Sequence, residues 1–472
     1  MNRATGTWPR RVTGAILVAA WIATVVISWP GHLSYDSIIQ LHDGRMGFYH
    51  SWHPPVMAWL LGVGDAVWPG AGLFMLLDTA LFFGALLSLV WTVPRVSWAA
   101  AVVAALVALL PQTVLYQTIV WKDVLFADAA VAGFACLAQA ALAWPNARAR
   151  MAWIGGALAL FILATLTRQN GLIVLFLGGL ALGLTAWRQG DRPAGLRYAG
   201  SALAGAVAIS LTLSFALSLR SDGGEGPRAQ LKLLRLYDVV GAVAAHPSLP
   251  LDRLDVDDPE LERLIRSDGV RLYTPERNDT LVGSQALQNE LADAEPQWLA
   301  AQWYDLMRRH PWLYLKTRAT VFAQVLFTPD IAGCRPVFVG IEGPAGEMGD
   351  LNIAPRKDAR DLALQAYARA FTNTPVFSHA LYVLLAVAGI VMLLRRRALG
   401  DEAIVSMLIA ALLFTASFFV ISIACDYRYL YFLDLAAIVA VFYLALDPAY
   451  LFQVVAIWSG SFWELLSDAR KS

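Results

Sequence analysis

The sequence predicts an all-α polytopic membrane protein, and three observations carry that reading. Apolar runs of about 18 residues or more recur from one end of the chain to the other, long enough as helices to cross a bilayer. Hydrophobic residues make up 58% of the 472 positions and charged residues only 15%, a balance foreign to soluble domains. Arginines gather in short connections: Arg10-Arg11, Arg95, Arg148/Arg150, Arg188/Arg192/Arg197 and Arg395-Arg396-Arg397. Placing all of them on the cytoplasmic side closes the topology without contradiction, as the charge asymmetry of membrane proteins requires.

Charge and cysteine content narrow the class further. With 36 basic and 36 acidic residues the formal net charge is zero, and no basic tail, recognition helix or zinc-finger spacing points to nucleic acid. The three cysteines match no zinc site. Cys136 lies inside an apolar run and is expected in the core. Cys334 and Cys425 both fall on the outer side, where a disulfide depends on how closely their backbones approach.

The first span is expected at 12–29. It has a basic start but no small-residue cleavage site before Trp29-Pro30, so it is read as retained. It delivers Asp36 to the outer side, where residues 37–52 suit short surface helices and the apolar 56–68, bounded by prolines, an interfacial or re-entrant one. Spans follow at 71–92, 98–117, 124–144, 151–167, 172–187 and 198–219. Residues 220–375 form the longest stretch outside the membrane: an amphipathic repeat around Leu231, Leu234, Val239 and Val243, an acidic turn region at 252–262, a loop at 268–278, a helix over 285–309, an interfacial or re-entrant helix at 312–327 and a loop at 328–360. Further spans at 376–394, 403–423 and 430–446 precede an amphipathic cytoplasmic tail through Trp458 and Trp463. The organisation expected is thus a membrane module to 219, an external segment at 220–375, C-terminal spans at 376–446 and a tail at 447–472.

This topology brings Asp36, His53, Lys122, Asp123, Arg168, Lys316, Arg318, Asp426 and Arg428 to the outer ends of their helices. Scattered loop charges would occupy both faces, so a shared outward cavity is the sharper reading. Arginine and lysine stabilise the charge on a departing phosphate, and a carboxylate takes the proton of an attacking hydroxyl. Asp36 is the candidate base and Asp123 a second catalytic carboxylate. Arg168, Arg428, Lys122 and Arg318 are candidate ligands of a donor phosphate. His53, Tyr35, Lys316, Tyr427 and Tyr429 are candidates to line the substrate. Each has a plainer reading beside it: Asp36 as a helix cap, Arg168 snorkelling, Asp123 pairing with Lys122, Lys316 and Arg318 meeting headgroups. No metal shell is evident and no cofactor is firmly predicted; a divalent cation is left open, since Asp36, Asp123 and a histidine could hold one if folding brings them together.

In these motifs the chain resembles the integral-membrane glycosyltransferases of the GT-C fold that use polyprenyl-phosphate sugars, especially bacterial members related to lipid A aminoarabinose transferases and protein mannosyltransferases. The resemblance rests on Asp36 after the first helix, His53-Pro54-Pro55 later in the same loop, Asp123 where the fourth helix begins, and Arg168 with Gly171 between the fifth and sixth. It covers the first seven spans, and beyond 220 it is architectural. It implies a GT-C-like bundle of about 10 to 12 spans with external interfacial helices. It also implies inverting transfer from a polyprenyl-phosphate sugar to a glycan, lipid or protein acceptor at the outer face of a bacterial inner membrane. Two departures stand out: Ser37 follows Asp36 where the family often has a second acid, and the Trp-Trp-Asp signature of oligosaccharyltransferases is absent. A lipid-linked glycan transporter or flippase, which would distribute polar groups through the membrane depth and show paired repeats, and a non-catalytic envelope-assembly protein are the competing classes.

Overall fold

The computed structural model describes residues 7–190, 192–223 and 225–448. These are helical, joined by isolated β-bridges and without a β-strand among the described residues. The expected tail helix through Trp458 and Trp463 lies outside the described residues. Among them, nine helices are long and apolar enough to cross a membrane, and a bent pair makes a tenth span. The chain is therefore an all-α, multi-pass membrane protein.

The first span, α1 (Thr7–Ser28), leads into α2 (Tyr35–Met46) and the short apolar α3 (Pro55–Val67), which starts on a proline whose missing N–H a first helical turn tolerates. After α4 (Gly72–Leu89), the span expected to be continuous over 98–117 breaks. Its halves, α5 (Trp98–Ala108) and the short α6 (Pro111–Val114) with the turn that follows, meet at 62°. Pro111 lacks the N–H that would continue the ladder, and the residue before a proline is steered to extended backbone, as Leu110 is at ψ 143°. Next come α7 (Lys122–Leu142), α8 (Ala147–Thr167), α9 (Leu172–Arg188) and α10 (Arg192–Ser218). Helix α7 is the central post. Its alanines and Gly133 let neighbours approach closely, with Phe161 of α8 packed where a Gly133 side chain would stand. Close backbone approach through small residues is how helices associate in lipid, where exclusion from water supplies no drive.

The stretch at 220–375 builds its own core. Helix α11 (Glu225–Ala245) packs with α12 (Pro296–Arg309) and α13 (Pro311–Phe327) around Leu236, Val240, Leu251, Leu264, Leu299 and Val321. Two expectations are corrected here. The stretch 252–262 is two short helices, Asp252–Asp257 and Pro259–Leu264, the second capped by Asp258, which accepts from Leu261 N at 3.0 Å. The single helix over 285–309 divides at Ala294-Glu295, because Pro296 holds Glu295 extended at ψ 130°. Residues beyond 327 run back over the first loop and are tied to the last spans by a disulfide between Cys334 and Cys425, whose Cα atoms are 4.8 Å apart. Helices α14 (His379–Arg396), α15 (Asp401–Ile421) and α16 (Tyr431–Leu446) complete the bundle.

Candidate active site

The first turn of α2 is fastened to the start of α7. After α1 the backbone turns at Gly31, with φ +110°; His32 N donates to Thr118 O at 2.9 Å and Val120 N donates to His32 O at 3.0 Å. Ser37 Oγ then donates to Val120 O at 2.7 Å, and Trp121 Nε1 donates to Ser34 Oγ at 2.8 Å. These bonds satisfy buried polar groups at the helix end and fix the register. Their consequence is that Asp36, two residues from the α2 cap Ser34, faces Lys122 and Asp123 of α7.

Around that junction the charged residues form a continuous network. Arg428 Nη1 donates to Asp36 Oδ2 at 2.7 Å, and its Nε lies 3.9 Å from Asp123 Oδ2. Asp123 is in turn ion-paired with Arg168. Lys122 Nζ is 2.7 Å from His53 Nδ1. An ammonium only donates, so this contact assigns Nδ1 as acceptor and leaves the Nε2 proton on the side facing Asp36, where Nε2 is 3.8 Å from Oδ1. Arg428 also reaches Asp426 at 3.4 Å, and Trp121 and Tyr429 flank its guanidinium, with ring centres 5.0 and 5.7 Å away. Arg168 stands against Tyr429, Phe414 and Phe418.

The electrostatics follow from this crowding. Burial works against the Asp36 carboxylate, but the Arg428 charge and the His53 hydrogen bond outweigh it and hold Asp36 well below the usual carboxylate range. Burial and the neighbouring Lys122 charge lower His53, opposed by Asp36, so the ring is neutral at physiological pH. Beside Asp36 and His53 opens a cavity of about 250 Å³, lined also by Tyr35, Gln40, Asp43, His50 and Trp52.

Of the residues singled out from sequence, the structure brings Asp36, His53, Lys122, Asp123, Arg168, Arg428 and Tyr429 into one cluster, with Tyr35 at the cavity. Three are elsewhere. Tyr427 is fully buried, its hydroxyl donating to Asp434 Oδ2 at 2.5 Å and accepting from Gln112 Nε2 at 2.8 Å. Arg318 is also fully buried, bonding Asp238 at 2.9 Å and Phe419 O at 2.8 Å, so its guanidinium ties the core around α11 to α15. Lys316 is exposed on α13. Asp123 lies between two guanidiniums and is not among the residues lining the cavity.

One contributor had no signal in the sequence. Arg277, in the stretch read as loop, approaches Asp426 at 3.3 Å and binds Asp279 at 2.7 Å and the Gly333 carbonyl. It rides on backbone bonds from Cys425 N to Glu276 O and from Asn278 N to Ile423 O. Among the described residues no group of three or more His, Cys, Asp and Glu side chains is arranged to hold a metal ion.

No protein-family model and no curated protein sequence matches the chain. Solved structures give distant likenesses. The oligosaccharyltransferase AglB from Archaeoglobus fulgidus, in complex with an inhibitory peptide and a dolichol-phosphate, aligns at 16% identity and a TM-score of 0.40 over 93% of this chain and 51% of its own. ArnT from Cupriavidus metallidurans bound to undecaprenyl phosphate aligns at 16% identity and a TM-score of 0.35, over 94% of this chain and 78% of its own. The chain thus spans about half the length of the archaeal structures. At these values the likenesses assign no residue role and no substrate.

Proposed function

We propose that the chain transfers a sugar from a polyprenyl-phosphate donor to a hydroxyl of a cell-envelope glycan, lipid or protein, with inversion, at the extracytoplasmic face of a bacterial inner membrane. The observation that carries the reading is the meeting of Asp36 with Arg428, Arg168 and Lys122 at one end of the bundle, beside an open cavity. The motifs of the first loop, and their resemblance to GT-C glycosyltransferases, support the same conclusion.

In this mechanism the acceptor oxygen attacks the anomeric carbon from the Asp36 side, and the bond from that carbon to the phosphate oxygen breaks. The electron pair leaves with the polyprenyl phosphate, whose charge Arg428, Arg168 and Lys122 stabilise. Asp36 takes the acceptor proton. The attack and departure lie on opposite sides of the carbon, which inverts it. A phosphate drawing on Arg428 weakens that residue's hold on Asp36, so donor binding raises the basicity of the carboxylate as it is needed. His53, neutral and anchored by Lys122, keeps the carboxylate oriented.

The external segment at 220–375 covers the site and helps to select the acceptor. An oxidising compartment suits the Cys334–Cys425 bridge, which supports placing this end outside. The test is sugar transfer by the purified protein from polyprenyl-phosphate sugars. Asp36→Asn is expected to lower turnover by about 10² to 10⁴-fold with folding intact. Undiminished turnover in that variant would remove Asp36 from the mechanism.

A further inference from the structure

We infer that the cavity beside Asp36 is the acceptor subsite and that it takes a neutral, hydroxyl-bearing sugar ring, in preference to an anionic headgroup or a peptide. The inference rests on the transfer reaction proposed above. Its volume, about 250 Å³, suits a single ring more than a branched chain.

The chemistry of the wall selects the occupant. Gln40 lines the cavity at 3% exposure; its Nε2 donates to Asp36 O at 3.1 Å, and its Oε1 has no hydrogen-bond partner. A buried carbonyl oxygen without a partner is uncommon and calls for a donor. Asp43, also nearly buried, accepts from His50 N at 3.0 Å and pairs with the His50 ring at 2.8 Å. With Asp36, the lining therefore presents two carboxylates and an amide oxygen, while no lysine or arginine lines it. A phosphate or carboxylate entering here meets carboxylates whose partners, Arg428 and His50, are already engaged, and no lysine or arginine of the lining to pair with. Sugar hydroxyls bring the donors that Gln40 Oε1 and the carboxylates accept.

The remaining walls are apolar, with Ile39, Pro54, Pro55 and Ala58 beside two exposed aromatic rings. Trp52 is 43% exposed and Tyr35 62% exposed, both lining the opening. Such side chains combine an apolar face with a polar tip, and the C–H face of a pyranose packs on the former. A ring held between them and Gln40 has a hydroxyl within reach of Asp36 in the same cavity. Asp36 thereby serves as base for a hydroxyl, and the two carboxylates disfavour acceptors that carry their own negative charge.

Saturation-transfer NMR on the purified full chain in detergent tests this. The probes are methyl mannopyranoside, methyl glucopyranoside, glucose phosphate and a short serine peptide. The neutral glycosides are expected to receive saturation, and Trp52→Ala or Gln40→Leu to reduce it about fivefold to tenfold. Undecaprenyl phosphate, followed separately by the shift in unfolding temperature, is expected to bind all three proteins alike, which also reports their folding. Silent glycosides, equal saturation of glucose phosphate or peptide, or undiminished signal in Trp52→Ala overturns the subsite. Failure of undecaprenyl phosphate to bind the wild-type chain overturns the donor reading instead.

Discussion

Asp36 Oδ2 and Arg428 Nη1 are 2.7 Å apart, so a base and a phosphate ligand proposed for the same reaction are in direct contact. The guanidinium keeps the carboxylate ionised far into acid, against the opposing effect of burial. In the wild-type chain Asp36 therefore sets no acid limit to activity near neutrality. Replacing Arg428 by Gln removes the largest lowering influence and leaves burial dominant, which raises the Asp36 pKa. The residual kcat/KM of that variant is expected to fall as pH drops through the raised value, giving an acid limb that the wild type lacks. A pH–kcat/KM profile from about 4 to 8, which reports the unliganded protein, reads it.

Arg318 and Asp238 form a buried pair remote from the network. Removing one partner of such a pair strands the other charge. Arg318→Met is expected to lose about 3 to 5 kcal/mol of stability, and Arg318→Met with Asp238→Leu to recover most of it. Denaturant unfolding of the purified proteins makes the comparison, and the double variant should keep the donor KM of the wild type.

The Cys334–Cys425 bridge closes a separation of 91 residues and ends next to Asp426. Chain-entropy reasoning gives a closure of that size about 4 to 5 kcal/mol. Replacing both cysteines by serine is expected to lower the unfolding temperature and to loosen Arg277 and Asp426. Hydrogen exchange over residues 276–279 and 423–428 should then rise in the variant.

His32 is buried between Gly340 N at 3.0 Å and Asp361 at 3.6 Å, near Arg356. Burial lowers its pKa from 6.5 to about 4, Asp361 opposing and Arg356 assisting. Between those values the unfolded chain binds a proton that the folded chain refuses. Its contribution is fully present above pH 6.5 and is lost as pH falls toward 4, a change of about 3 kcal/mol. Asn at position 32 retains an acceptor without the titration. It is expected to flatten stability over this window in pH-dependent unfolding.

Much of this site was legible in the sequence because span boundaries and the arginine bias decide which residues share an end of the bundle. Asp36, Lys122, Asp123 and Arg168 each sit within a residue or two of a helix end, so their meeting needed only the topology. Arg428 followed in the same way. Tyr427 and Tyr429 could not be separated, because they lie in a short turn, Tyr427–Leu430, whose pitch decides which ring enters the core. Arg318 looked interfacial because its own helix is apolar; its partner Asp238 belongs to α11, and no local pattern joins them. Arg277 had least to mark it, since its role depends on a backbone pairing with residues 423–425 that only folding creates.

Helices α2 and α3 touch through Gly44 and Gly62, where a Cβ on either would run into the backbone of the other helix. With no side chain to flex between them, the two helices behave as one plate, and both contribute to the wall beside Asp36. The plate cannot be pried apart to admit a bulkier guest. Changing which guest this wall admits would have to proceed by trimming the rim at Trp52 or Tyr35, leaving the hinge-free scaffold as it is.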